Sequence, residues 1–346
     1  MRTTHRSNSL VLGLSVIVAA AMLVNAGNLN PPAGPVTPTM KGLDWVEPRR
    51  VISFDTTPGD ADSLYRITQP GSYYLVGDVQ GVANKHGIEI ACDNVTIDMM
   101  GFTLAGTPGA AAIGIRNEPG FRGVTIVNGI VRDWTDDGIS LSGARLYVEG
   151  VKADRCGGSG FDLAGSNGPT TIIRCQAVAN TIYGINAGSG ATVVECTSNS
   201  NSLSGINLGG SGGVCERNTT IFNTFSGIAQ NSGGGWVIRN NTCSQNGENG
   251  INVCAYNSII ENVCNLNGTA VTDGAGIYVR CGDNRVDSNH LASNDIGVRM
   301  TTNGEEVIIR NTFHDNTTSF SGSTGNDIGP LSLASNAVSP FANIIH

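Results

Sequence analysis

The sequence predicts an all-β solenoid of about ten stacked coils with a cap at each end. Three observations carry this expectation. A Gly-apolar-x unit, usually closed by a second apolar residue, begins at Gly87, Gly114, Gly138, Gly160, Gly184, Gly205, Gly227, Gly250, Gly276 and Gly297. A second short apolar run follows in most units, as in "VTIV" from Val124, "TVV" from Thr192, "WVI" from Trp236 and "VII" from Val307. The composition, with 47 glycines, 14% charged and 5% aromatic residues, is rich in turn and strand formers and poor in helix formers.

The spacing decides the architecture. A unit of about 22 residues holding β-branched runs bounded by turn residues has no room for the helix of an ankyrin, tetratricopeptide or helical leucine-rich repeat. Each strand must then pair in parallel with its counterpart one coil away, and no coil can bury its inner face alone.

Taken in chain order, Arg2, His5 and Arg6 precede an apolar run from Leu10 to Val24, and Val-Asn-Ala at 24–26 offers a cleavage site. Residues 1–26 therefore read as a signal peptide, with an uncleaved anchor helix as the alternative. Residues 27–50, containing "NLNPPAGPVTPTM", read as an extended linker. Residues 51–86 read as the N-terminal cap, with two strands around Pro70 and Gly71 in "YRITQPGSYYLVGDV". The coils span 87–316. Residues 317–346, where Pro330 and Pro340 break the period, form the C-terminal cap.

A net charge of -8 without a run of Lys or Arg argues against a nucleic-acid partner. After signal removal no second apolar run is long enough for a membrane span. Oligomeric state stays open. Nine cysteines in an exported chain suggest disulfides, and the odd number leaves at least one thiol unpaired. No CxxC or Cys/His cluster at zinc spacing occurs, so no metal site is assigned, and Ca²⁺ is the one cofactor kept in view.

Stacking turns each repeat position into a column. One column reads Cys175, Cys196, Asn218, Asn241, Asn262, Asn289 and Asn311; another, five residues on, reads Asn180, Asn201, Asn223, Asn246, Asn267, Asn294 and Asn316. We expect these to be buried asparagine ladders, each Asn taking the bent or left-handed corner backbone and bonding to the coils above and below. Cys243 and Cys264 fall in an inward column with Ala177, Ser198, Thr220, Leu291 and Phe313. Arg174, Glu195, Arg217, Glu261 and Arg310 share a further position and read as a surface charge ladder.

In a strand alternate side chains face out. The variable position after each Gly-apolar pair should thus form an exposed stripe: Glu89, Arg116, Ser140, Asp162, Asn186, Asn207, Ala229, Asn252, Tyr278 and Arg299.

"GIEIACDNVTIDMMGFTLAG" at 87–106, "ISFDTTPGDADSLYRITQPGSYYLVGDV" near the start and "SPFANI" near the end resemble the right-handed parallel β-helix proteins of the pectate-lyase-like superfamily. These include periplasmic members that serve copper-site assembly. The resemblance covers residues 51 to about 345. It implies a right-handed β-helix and, in polysaccharide-active members, a substrate cleft along the exposed parallel sheet. It does not choose among lyases, hydrolases, epimerases and adhesins.

Two patches on the stripe are the candidate sites. The first holds Asp136 and Asp137 in "WTDDGISL" with Asp162 one coil on. The "DDG" resembles the paired aspartates of polygalacturonases, in which one carboxyl protonates the leaving oxygen and the other activates water. Arg116 would bind substrate beside it and Trp134 would stack on a sugar ring. The Gly-His-Gly and Arg-x-Lys elements of those enzymes are absent, as "GINAG" and "GIAQN" show. The second patch holds Tyr278 and Arg299 as candidate acid-base and carboxylate-neutralising groups, Arg280 as a substrate contact, and Asp273 and Asp295 as carboxylates available to Ca²⁺. Asn186, Asn207 and Asn252 are the remaining candidate contacts.

Two functional readings follow. One is a protein exported to the periplasm, cell surface or medium that interacts with extracellular polysaccharide without a complete catalytic motif. The other is a lyase or glycoside hydrolase acting on uronic-acid glycans.

Overall fold

The computed structural model describes residues 47–346 apart from 110, 167, 302–304 and 323. Arg49–His346 form one compact unit. The expected signal peptide at 1–26 and nearly all of the linker at 27–50 lie outside the described residues.

Most strands are two to five residues long, with side chains alternating between core and exterior. One face of the solenoid is a parallel sheet of twelve strands, running from Ser63–Ile67 through Ile185–Ala187 and Ile206–Leu208 to Thr318–Ser321. We call it the stripe face. The other two faces form a second set of 24 strands. In the middle coils they are separate short strands, such as Ala191–Val194 and Thr197–Asn199. In two early coils Val124–Arg132 and Leu146–Asp154 run through both faces, turning at the left-handed residues Asn128 and Gly150. The only helical turn among the described residues is the 3-10 segment Ala334–Asn336.

Twelve strands, against ten glycine-marked units, reflect two coils that lack the marker. Ser63–Ile67 pairs in parallel with His86–Ile90, and Thr318–Ser321 with Ile296–Met300, so the first and last strands of the face lie outside the glycine series. The glycine belongs to coils with a close approach at the corner. At Gly184 a Cβ would fall 1.9 Å from Ser198 Oγ and 2.7 Å from Asn201 Nδ2; at Gly205 it would fall 2.7 Å from Asn223 Nδ2. The glycine makes room for the corner asparagine.

The core is a set of columns. Ile185, Ile206, Ile228, Ile251, Ile277 and Val298 stand in register on six successive strands, all fully buried. The column Ala177, Ser198, Thr220, Cys243, Cys264, Leu291 and Phe313 is likewise in register. Such columns let similar side chains nest closely from coil to coil.

Both asparagine ladders form. Asn218, Asn241, Asn262, Asn289 and Asn311 each accept the backbone N–H of the preceding column member, from Cys196 onward, and the line ends on Asn343. The second runs from Asn180, which accepts the Cys156 N–H, to Asn316. One detail departs from expectation. The left-handed residue is the one before each asparagine, for example Arg217, Asn240, Glu261, Ser200, Phe222 and Gln245, at φ of 52–56°. The reason is geometric: the preceding residue turns the corner with its side chain outward, which delivers the Asn amide inward to the freed backbone groups.

Cys254 and Cys281 form a disulfide between adjacent coils, just beyond the ends of two stripe-face strands. The other seven cysteines are free and buried, the role expected of small apolar residues.

Candidate functional site

The stripe exists as one continuous row, but it is not exposed throughout: Glu89 and Ala229 are buried within it. Glu89 pairs with Arg116, then Ser140, Asp162, Asn186, Asn207, Ala229, Asn252, Tyr278 and Arg299 follow in unbroken register. Three zones differ in chemistry.

The first coils carry an ion network. Arg116 reaches Glu89 at 3.3 Å and the His86 ring at 3.1 Å. Arg66, one coil earlier, pairs with Glu118 and with Asp60. Burial raises the pKa of Glu89, and burial together with Arg116 lowers that of His86, which accepts the Ile113 N–H at Nδ1. Arg116 is thus already committed to protein partners. The sequence places none of Arg66, His86 and Glu118 in a site; Arg66 lies on a strand without the repeat glycine, and the other two lie just outside stripe positions.

Next to this network lies an open concavity lined by Arg116, Asn117, Ser140, Ser142 and Asp162 among others. Asp137 lies in the turn two residues before the strand Ile139–Ser140, 9% exposed, its Oδ1 accepting the Ser159 N–H at 2.7 Å. Burial, with Asp162 and Asp136 nearby, pushes its pKa up to about 6. Asp136 and Asp162 thus lie near enough to act on the Asp137 carboxyl through their charges. Trp134 is not with them. It is 2% exposed, its Nε1 donates to the Leu104 carbonyl at 3.1 Å, and its ring packs where a Cβ on Gly81 or Gly87 would fall 2.8–2.9 Å away. The expectation that it stacks on a sugar is corrected: the residue before the turn points inward, and glycines of neighbouring coils vacate the space it fills.

The raised pKa of Asp137 has a measurable consequence. Between about pH 4 and 6 the unfolded chain releases this proton while the folded chain keeps it, so this group makes stability fall as pH rises through that window. Asp137→Asn keeps the acceptor for Ser159 and removes the charge. Its urea stability should match the parent at pH 4 and exceed it by roughly 2 kcal/mol above pH 6.5; an equal difference at both pH values would contradict the assignment.

The middle zone is an outward row of amides. Arg280 donates to Asn231 Oδ1 (3.2 Å), Asn231 Nδ2 to Asn207 Oδ1 (3.1 Å), Asn207 Nδ2 to Asn186 Oδ1 (2.8 Å), and Asn186 Nδ2 to Asp162 Oδ1 (3.0 Å). All donors point towards the N-terminal end, and a carboxylate closes the row. Asn252, farther on, has a buried Oδ1 without a partner. Asn231 was missed because it lies two residues past the stripe position and reaches back over it.

In the last coils the Arg299 guanidinium lies over the Tyr278 ring at 4.9 Å and pairs with Asp273 at 2.5 Å. Arg280 is held by the Gln230 carbonyl at 2.9 Å. Asp295 accepts the Gly274 N–H. Tyr278, Arg299 and Asp273 thus meet, with the Arg299 and Asp273 charges paired to one another, while Arg280 turns to Gln230 and Asn231. Among the described residues no group of three or more His, Cys, Asp or Glu side chains could hold a metal ion, so the carboxylates kept in view for Ca²⁺ do not converge on one.

A third internal ladder escaped the sequence reading. Trp236, Asn257 and Asn284 donate their backbone N–H groups to Asn257, Asn284 and Glu306 respectively. The signal was present, a polar residue immediately before the second apolar run of three coils, yet its column is short and ends in Glu. The expected charge ladder forms in part: Glu195 pairs with Arg174 and Arg217, whereas Arg310 pairs with Asp287, and Glu216 joins from outside the column to hold Arg217 and Arg239.

No curated protein sequence matches the chain. Among solved structures it is similar to the A-module of the Azotobacter vinelandii mannuronan C-5 epimerase AlgE6, at 14% identity over 75% of this chain and 91% of that one, with a TM-score of 0.52. It is also similar to the Dettilon tailspike protein gp208, at 15% identity over 82% of this chain and 59% of that one, with a TM-score of 0.53. At such identities the likeness is one of fold, the parallel β-helix. Residues 138–329 match the family model described as periplasmic copper-binding protein (NosD). That match takes in more than half of the sequence and the coils from Gly138 through the end of the stripe, and on it the chain belongs to the NosD family.

Proposed function

We propose that this protein acts outside the cytoplasm as a polysaccharide-binding solenoid, with the stripe face lying along the glycan and no turnover of it. The observation that carries this reading is the outward amide row from Asp162 to Asn231, which sets successive polar contacts one coil apart on a parallel sheet. Repeated contacts at strand spacing, about 4.8 Å, suit a ligand that itself repeats. The basic and apolar N-terminal segment and the periplasmic description of the family support export.

Copper, named in the family description, does not fit the described residues. The stacked thiols Cys175 with Cys196 and Cys243 with Cys264 are sealed in the core, and no His, Cys, Asp or Glu cluster gathers elsewhere among the described residues.

One observation favours a second, catalytic reading: Asp137, kept protonated to about pH 6 beside Asp162, has the properties of a general acid. The test covers both. Purified protein is run in affinity gels containing a panel of polysaccharides, and the same mixtures are assayed for new reducing ends and for the absorbance of unsaturated lyase products. Retardation without product supports binding alone. Product formation abolished by Asp137→Asn would replace it with the catalytic reading, and neither signal on any glycan would end both.

A further inference from the structure

The stripe face is bordered, on the side where its strands end, by turns rich in glycine and serine. Ser166, Gly168, Pro169, Ser189, Gly190 and Ser211 line a shallow concavity there. Gly190 and Gly212 have left-handed backbones, at φ of 69° and 66°, with nothing within 4 Å of where a Cβ would stand, so the shelf is bare by conformation. Ser166 is only 6% exposed, yet its hydroxyl has no hydrogen-bond partner. A buried hydroxyl without a partner is unfavourable, and this one belongs to a residue that lines the concavity.

The adjoining amide row has matching spare capacity. A carboxamide has two N–H donors and two acceptor positions. Asn186 and Asn207 each use one Nδ2 donor and one Oδ1 acceptor on row neighbours, leaving a donor and an acceptor free. Sugar hydroxyls, which both give and take hydrogen bonds, suit that remainder.

Charge narrows the ligand. From Gly158 to Val279 the sequence has only three basic residues, Arg174, Arg217 and Arg239, and all three are engaged by glutamates. The stripe meanwhile presents the Asp162 carboxylate. Between Asp162 and Asn207 a uronan or sulfated glycan would meet one like charge and no cation; the nearest, Arg280, is held by the neutral oxygens of Gln230 and Asn231 at the far end of the row.

We infer that the glycine-serine shelf and the amide row together form a subsite for an uncharged polysaccharide, held by hydroxyl-to-amide and hydroxyl-to-serine hydrogen bonds. This rests on the polysaccharide-binding reading above and narrows it.

The experiment uses affinity gels with laminarin, hydroxyethylcellulose and dextran as uncharged probes, alginate and polygalacturonate as uronans, and chitosan as a cationic one. At least one uncharged glycan should retard the protein. Its apparent affinity should hold as added salt shortens the Debye length from about 10 Å to about 3 Å. Asn207→Ala should weaken binding about five-fold, the worth of one hydrogen bond. Ser189→Tyr, at an exposed shelf position, should weaken it at least about ten-fold with an unchanged urea midpoint. Salt-sensitive binding to alginate, polygalacturonate or chitosan alone overturns the uncharged assignment and spares the polysaccharide reading. Full affinity in Ser189→Tyr overturns the shelf, and no retardation by any probe overturns both.

Discussion

Asn262→Ala should destabilise the folded chain by about 4 kcal/mol, while Asn207→Ala, the same change on the exterior, should cost under about 0.5 kcal/mol. The contrast follows from where each amide sits. Asn262 is fully buried. Its Oδ1 accepts both the backbone N–H and the Nδ2 of Asn241 at 3.0 Å, and its Nδ2 lies within 2.9–3.1 Å of Ile238 O, Ile260 O and Asn289 Oδ1. Alanine would leave two donors of Asn241 and the Ile238 carbonyl without partners, each worth about 1–3 kcal/mol when buried. Asn207 lies where water replaces whatever is lost. Equilibrium urea unfolding of both variants measures the difference. Comparable small effects would mean that the ladders only accompany the fold, and that the strand pairing holds the corners unaided.

The second large effect is expected at Trp134. Replacing it by Ala should cost about 3–5 kcal/mol, the range for a buried aromatic, because three glycines face its ring and offer no side chain to relax into the void. Cβ atoms on Gly81, Gly87 and Gly114 would lie 2.8–3.0 Å from the indole. The Leu104 carbonyl would also lose its donor. Trp134→Phe should recover roughly half of the loss and leave glycan affinity unchanged. Thermal and urea unfolding report the first result, and affinity gels the second. Weakened glycan binding in a Trp134→Phe variant that remains folded would restore the sugar-stacking role that its burial removes.

Asn262 and Trp134 differ in how far the sequence foretold them. The asparagine and cysteine columns are readable because, in a solenoid, residues one period apart in sequence are neighbours in space, so a spacing of 21–27 residues is a contact map. By the same logic Glu89 to Arg299 fall on one row in unbroken register, although Glu89 and Ala229 are buried in it. Asn241 and Asn246, which are buried, are likewise distinguished from Asn252, which lies on the row.

What period alone could not supply is the direction of side chains at the turns, where alternation stops. Trp134 and Asp137 are three residues apart in one turn; the first fills the core and the second holds a backbone N–H of the next coil beside Asp162. Asn231 reaches back over the stripe from a turn, and the left-handed residue precedes each ladder asparagine. Which carboxylates and guanidiniums neutralise one another was equally out of reach, since Arg116 selects Glu89 and His86 while Arg299 selects Asp273. The all-β solenoid, its columns and the register of the stripe were legible in the chain because they follow from periodicity and strand alternation. The turn geometry and the ion pairs came only from the folded arrangement, because they depend on distances between coils that no spacing encodes.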